Sequence, residues 1–80
     1  MPQPRHQLIT IEVTDSGFEG LGSKPYQQMP RVGEWVEIAE DEIAIMFEVL
    51  MIAHSTSGGT ADVYVRRLGV QTDILKTLQP

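Results

Sequence analysis

The chain contains no cysteine, which excludes a disulfide-stapled fold and a cysteine-based zinc site. Small secreted domains often depend on disulfides, so this absence fits a reducing cytoplasm. The first residues also lack the apolar stretch of about 7–15 residues that a signal peptide carries. These features predict a cytoplasmic protein.

Basic residues and long apolar runs are scarce. Six Lys and Arg stand against eleven Asp and Glu, which gives a formal net charge of −5. An acidic chain repels phosphate backbones, which argues against nucleic acid as a partner. The longest apolar run, Ile43 to Ala53, contains Glu48 and is shorter than the roughly 20 residues of a membrane helix. We therefore expect no membrane partner and a soluble protein.

The length of 80 residues predicts one domain, residues 1–80, with a thin core. Residues 8–14 alternate strictly, which predicts a strand with Ile9, Ile11 and Val13 on its buried side. Turn signals separate three further predicted strands, at residues 34–38, 43–54 and 60–67.

The remaining segments are predicted to be irregular. Residues 1–7 are expected to be a flexible N-terminus, and the Gly- and Pro-rich stretch 15–31 is expected to be a long loop. In the C-terminal segment 70–80, Thr72 could cap a short helix that places Ile74, Leu75 and Leu78 on one side.

Side-chain matching predicts a strand register. A five-residue loop at 55–59 pairs Glu48 with Arg66, Val49 with Val65 and Leu50 with Tyr64. A four-residue loop at 39–42 pairs Ile38 with Ile43, Val36 with Ile45 and Trp35 with Met46. This register gives a core face that is closed by the strand at 8–14 and consists of Val36, Ile38, Ile43, Ile45, Phe47, Val49, Met51, Val63 and Val65.

The opposite face is predicted to be more apolar than a solvated sheet face. It carries Trp35, Met46, Leu50, Ile52 and Tyr64, with Glu37, Glu48, Asp62 and Arg66 around them. Either the C-terminal segment or the long loop covers this face within the chain, or another chain does. The second case predicts a noncatalytic interaction or assembly module that binds a protein partner or a second copy, with the contact residues Trp35, Met46, Leu50, Tyr64 and Arg66.

Two alternatives belong to other functional classes. The long loop and the Trp35/Tyr64 face could bind a small ligand or a single-stranded nucleic acid. An enzyme could use His54 with Ser55, Ser57 and Asp62, although a triad also needs a buried carboxylate and an oxyanion hole. His6 and His54 lie in no ligand-spaced cluster, so we predict no metal site, no cofactor and no enzyme.

Several stretches within residues 30–69 together suggest a resemblance. They are Pro30 to Val36, then Phe47 to Val49 and Ile52 to His54, then Ala61 to Arg67. This pattern resembles that of small uncharacterised bacterial all-β proteins. The resemblance implies an antiparallel meander that curls into a partly open SH3-like barrel, with no activity attached. The predicted fold class is therefore all-β, with a short helix at the C-terminal end.

Overall fold

The computed structural model describes residues 6–77. It contains five strands and one short helix. The strands are β1 (His6–Thr14), β2 (Gly17–Tyr26), β3 (Trp35–Glu40), β4 (Ile43–Ala53) and β5 (Asp62–Val70), and the helix is α1 (Gln71–Lys76). No helix among residues 6–77 is long and apolar enough to cross a membrane.

The five strands form one curled sheet in the order β2-β1-β5-β4-β3. All pairs are antiparallel except β1 with β5, which is parallel. Each strand pairs with the strand that follows it in the sequence, with the exception of β2 and β3. These two strands form the edges of the sheet. The fold is therefore a small half-barrel with a seam between β2 and β3. The prediction of a small, partly open all-β barrel with a short C-terminal helix is confirmed.

The core lies on the concave side of the sheet. Phe47, Val49, Val63 and Val65 are completely buried there. The remaining buried apolar residues are Leu8, Tyr26, Ile38, Ile45 and Ala61, and the partly buried Leu21, Val36 and Ile52 pack against this cluster.

The side of strand β1 that faces the core is not the side that the sequence predicted. Leu8, Thr10 and Glu12 are buried, whereas Ile9 is 39% exposed. Ile11 and Val13 share the side of Ile9 and are half-buried. The prediction that these three β-branched residues close the core is wrong, because the buried Thr10 and Glu12 find polar partners inside the half-barrel.

Strand β2 occupies most of the predicted long loop 15–31. The sequence does not show the apolar and polar alternation of a strand here, because a bulge at Leu21 shifts the register with β1. Gly20 and Gly22 flank this bulge. Pro25 is tolerated because β2 is an edge strand. The N-terminal boundary also moves, since β1 already begins at His6 within the predicted flexible segment 1–7, whose first five residues lie outside the described range.

The β3–β4 hairpin has a tighter turn than predicted. Glu40 pairs with Ile43, so only Asp41 and Glu42 form the loop, and both have positive φ, 50° and 69°. Ile38 therefore pairs with Ile45, and Trp35 pairs with Glu48 instead of Met46. The shift of two residues keeps each side chain on its predicted face.

In the β4–β5 hairpin, the predicted pairs Glu48–Arg66 and Val49–Val65 are correct. A register shift between Val49 and Met51 then leaves Leu50 without a partner. Tyr64 pairs with Met51 instead of Leu50, and Ile52 pairs with the buried Val63. Met51 is therefore 48% exposed instead of belonging to the core, and Ile52 packs against the core. Ile43, at the start of β4, is 51% exposed instead of buried.

The C-terminal segment starts later than predicted. Strand β5 continues to Val70, which also occupies the N-cap position of α1, so Thr72 is not the cap. Ile74 is half-buried and Leu75 is 43% exposed. Leu78, the third predicted helix contact, lies outside the described residues.

Candidate interaction face

The convex side of the sheet carries the predicted contact residues. Paired residues of neighbouring strands direct their side chains to the same side, so the register defines this side. We call it the outer face, and it comprises Ile9, Ile11, Val13, Phe18, Trp35, Glu37, Met46, Glu48, Met51, Asp62, Tyr64 and Arg66.

Large apolar side chains on the outer face are open to solvent. Phe18 is 73% exposed, Met51 48% and Trp35 42%. Leu50, at the bulge in β4, is 37% exposed. Isolated exposed apolar residues are ordinary on a protein surface, but several on one face form the kind of patch that marks an interaction site.

An aromatic contact joins two strands of this face that are not neighbours. The rings of Phe18 in β2 and Tyr64 in β5 lie 6.0 Å apart between centroids and meet edge to face, at 76°. Strand β1 lies between them in the sheet, so Phe18 reaches across it. Edge-to-face pairs are favourable for aromatic rings, so this contact positions Phe18 although most of its surface is exposed. Phe18 was not predicted, because it lies in the supposed loop.

One ion pair lies in the middle of the outer face. Arg66 donates to the Oε1 atom of Glu48, and Glu48 pairs on its other side with Trp35. Both partners are partly open to solvent, at 57% and 27% of their side-chain surfaces. The pair therefore neutralises two charges in the centre of the face but adds little to folding stability.

Helix α1 covers one end of the outer face. Gly69, which pairs with Met46, leaves space that the Ile74 side chain fills: a Cβ added at Gly69 would lie 3.2 Å from Cδ1 of Ile74. Gln71 donates its Nε2 to Oε2 of Glu37 at 2.6 Å. Intramolecular cover by the C-terminal segment, one of the predicted alternatives, is therefore present around Met46 and leaves Phe18 and Trp35 exposed.

The predicted contact residues therefore separate into two groups. Trp35, Tyr64 and Arg66 lie in adjoining rows of the outer face, and the register brings them together. Met46 also faces outward but lies beside Gly69, on which Ile74 of the helix packs, and Leu50 lies at the bulge. The patch extends toward Phe18 and Met51, which the sequence did not assign to it.

The concave side holds a charged cluster that the sequence did not reveal. Arg67 donates through Nε and Nη2 to both carboxylate oxygens of Glu12, at 3.0 and 3.1 Å. It also donates to both oxygens of Glu40, at 3.2 and 3.1 Å, and its guanidinium carbon lies 5.2 Å from the centroid of Phe47. The hydrogen bonds to Glu12 and then to Glu40 raise the pKa of Arg67 above its usual value. The cluster joins β1, β3 and β5 and is satisfied internally.

The residues considered for catalysis are not assembled. His54 is exposed at the end of β4, and the hydroxyls of Ser55 and Ser57 lie 3.0 Å from each other. Among residues 6–77, neither hydroxyl is hydrogen-bonded to His54. No group of three or more His, Asp or Glu side chains in that part of the chain is arranged to hold a metal ion.

A cleft of about 600 Å³ lies at the seam between the two edge strands. The end of β2, the segment that follows it and the outer edge of β3 line this cleft; its walls include Lys24, Tyr26, Met29, Glu34, Val36 and Glu37. Trp35 and Tyr64 do not line it, so the cleft is separate from the aromatic residues of the outer face.

Comparisons of this chain with family models, curated proteins and solved structures found no match. The resemblance to small bacterial all-β proteins therefore stays a prediction. The assignment of a function depends on the geometry of the chain itself.

Proposed function

We propose that this chain is a noncatalytic interaction module that self-associates through its outer face. The observation that supports the proposal is the exposure of Phe18, Trp35 and Met51 on one continuous side of the sheet. Aromatic residues and methionine are enriched in protein interfaces. Burial of a large apolar side chain contributes roughly 1.5–3 kcal/mol, so this patch could drive association.

The charge distribution favours a second copy as the partner on this face. The net charge of −5 would oppose self-association if the acidic residues met across the contact. At the centre of the outer face, however, Glu48 is already paired with Arg66. Two such faces can therefore meet without an unpaired carboxylate in the middle.

The test is the absolute mass in solution, measured by size-exclusion chromatography with light scattering. We expect a dimer for the wild-type chain and a monomer for Phe18→Arg, because a cation in the contact would have to be buried without a partner. Ile43→Arg is the matched control, since Ile43 is also exposed but lies on the side of β4 that carries Ile45 and Phe47. It should remain dimeric.

Either of two results contradicts the proposal. A wild-type chain that is monomeric at high concentration does not self-associate. A dimer that both arginine variants retain uses another surface. The circular dichroism spectra of both variants must match that of the wild type, so that loss of the dimer is not confused with unfolding.

The alternative of a small-ligand or nucleic-acid binding domain that uses the loop and the Trp35/Tyr64 face stays a prediction. Much of the supposed loop is strand β2, and the two aromatic side chains lie outside the cleft. The geometry therefore favours the interaction module.

A further inference from the structure

The outer edge of β3 presents backbone groups that have no strand partner within residues 6–77. Glu40 and Ile43 flank a two-residue turn, so they form a hydrogen-bonded pair, and the pairs alternate from there along the hairpin. The bond from Val49 N to Glu34 O, 2.9 Å, agrees with this alternation. The N–H and C=O groups of Trp35, Glu37 and Ala39 consequently point away from β4, toward the seam.

The opposite edge of the seam is less able to accept a strand. The same alternation along β1 and β2 directs the backbone groups of Ser23 and Pro25 away from β1. Pro25 has no N–H to donate, and a proline at this position is a common way to protect an edge. Of the two edges that line the cleft, β3 therefore offers the complete set of donors and acceptors.

The β3 edge carries an acidic side chain on its outer side and apolar side chains toward the cleft, whose walls also include Lys24 and Glu34. Glu37 points to the outer side, whereas Val36 and Ile38 face the cleft with Tyr26 on the far wall. Glu37 accepts a hydrogen bond from the neutral Gln71, so no cation compensates its charge in this contact. A strand added here would place one residue directly opposite Glu37 and apolar residues opposite Val36 and Ile38.

We propose that the β3 edge binds an extended, basic peptide segment of another protein by strand addition. The segment alternates Lys or Arg, which pair with Glu37 and lie beside Trp35, with apolar residues that fill the cleft. A second copy of the chain is not the occupant, because antiparallel pairing of two β3 strands about Glu37 would set like charges opposite each other. This site uses the seam edge of β3, whereas self-association uses the convex side of the sheet, and the two adjoin at Trp35 and Glu37.

The probe is a synthetic seven-residue peptide of alternating lysine and valine with blocked ends. Trp35 is the single tryptophan and lies on β3, so its fluorescence reports binding at this edge. We expect saturable binding that weakens with salt. The same peptide with glutamate in place of lysine should bind at least tenfold more weakly.

N-methylated peptides test the strand geometry. The added strand is antiparallel to β3, so lysines opposite Trp35, Glu37 and Ala39 would exchange both hydrogen bonds with β3, and N-methylation of the lysine residues should abolish binding. N-methylation of the valine residues should be tolerated, because those N–H groups point away from β3. Equal loss with both peptides, or no loss with either, overturns strand addition.

Variants of the chain test the charge and the site. Glu37→Lys should lower the affinity for the lysine peptide at least tenfold and should raise the affinity for the glutamate peptide. Glu19→Lys, an equal charge change on an exposed residue of β2 outside the cleft, is the control and should retain most of the affinity. Absence of binding to the wild-type chain, or an equal effect of the two variants, overturns the proposal.

The same titration is carried out with Phe18→Arg. Binding that is unchanged in this variant places the peptide on the β3 edge, whether or not the chain self-associates. If the Phe18→Arg variant does not bind the peptide, the peptide binds to the outer face, which contradicts the β3 site.

Discussion

The guanidinium of Arg67 and the carboxylate of Glu12 form a two-point contact on the concave side of the half-barrel. Only 6% of the surface of Glu12 is exposed, and the same guanidinium also binds Glu40 of edge strand β3. Arg66, the preceding residue, instead pairs with Glu48 on the outer face. Two neighbouring arginines therefore bind carboxylates on opposite sides of one sheet.

These two arginines should differ in their contributions to stability. Arg67→Met leaves the buried Glu12 without its cation, and we expect a loss of about 2 kcal/mol in the free energy of unfolding. Arg66→Met removes a more exposed pair and should cost about 0.5 kcal/mol or less. Urea denaturation measures both. Similar losses for the two variants would show that Glu12 does not depend on Arg67.

Replacement of both partners should be milder than removal of the cation alone. In the double variant Arg67→Met, Glu12→Leu no buried charge remains, so part of the loss seen in Arg67→Met should be recovered. Urea denaturation of the two single variants and the double variant gives the coupling energy. A strictly additive result would contradict a direct interaction.

The burial of Tyr26 predicts that the chain loses stability at alkaline pH. Burial raises the pKa of its phenol, and the hydrogen bond with Thr10, 2.9 Å, lowers it by less. The folded chain therefore keeps this proton to higher pH than the unfolded chain, in which the tyrosine pKa is about 10. The stabilisation that the protonated Tyr26 contributes is complete below pH about 10, and it is lost as the pH rises through the pKa of Tyr26 in the folded chain.

The measurement is the free energy of unfolding between about pH 8 and pH 11. Tyr26→Phe should be less stable than the wild type at pH 8, because it loses the bond to Thr10, but should decline less steeply above pH 10. All other residues are the same in the two chains, so the difference between their free energies of unfolding isolates Tyr26. If the free energies of unfolding of the wild type and Tyr26→Phe declined in parallel above pH about 10, ionisation of Tyr26 would not be the cause of the loss.

The turn between β3 and β4 can be stabilised. Glu42 has a φ of 69°, a conformation that costs a non-glycine residue free energy and glycine almost none. Glu42→Gly should raise the free energy of unfolding by about 0.5–1 kcal/mol, as thermal or urea unfolding would measure. Glu19→Gly, at a position in β2 without positive φ, should destabilise the chain. A destabilised Glu42→Gly chain would contradict the turn geometry.

Gly69 is required where the helix meets the sheet. Its φ is +144°, and an added Cβ would lie 3.2 Å from Ile74. We expect Gly69→Ala to cost about 1–2 kcal/mol in the free energy of unfolding. Gly20→Ala is the control, because no atom beyond its two chain neighbours lies within 4 Å of its added Cβ, and it should be near neutral. Equal tolerance of both alanines would show that the helix does not pack on Gly69.

Local patterns in the sequence were sufficient to find the β3–β4–β5 meander and the pairing of Glu48 with Arg66. The orientation of β1 was not predictable in this way. Hydrophobicity favours Ile9 and Ile11 for the core over Thr10 and Glu12, and the choice is reversed by partners far away in sequence. Glu12 is buried because Arg67 reaches it across the fold, and no local pattern encodes that contact.

The candidate outer face was only partly predictable for a related reason. Bulges add a residue to one strand and reverse the faces beyond them. The bulge at Leu50 brought Met51 to the surface, and the bulge at Leu21 concealed β2 and with it Phe18. Gly20 and Gly22 around that bulge were the available signal, since glycine inside a strand often marks one.

The parallel pairing of β1 with β5 also affects how the chain folds during synthesis. Ile9 pairs with Asp62, so the half-barrel joins strands from opposite ends of the described sequence. On the ribosome, β1 and β2 can form a hairpin early, but Val63 and Val65 of the core are added only when β5 emerges. The apolar side of the nascent sheet therefore remains without its central strand until β5 has left the ribosome, so the core cannot close before that point.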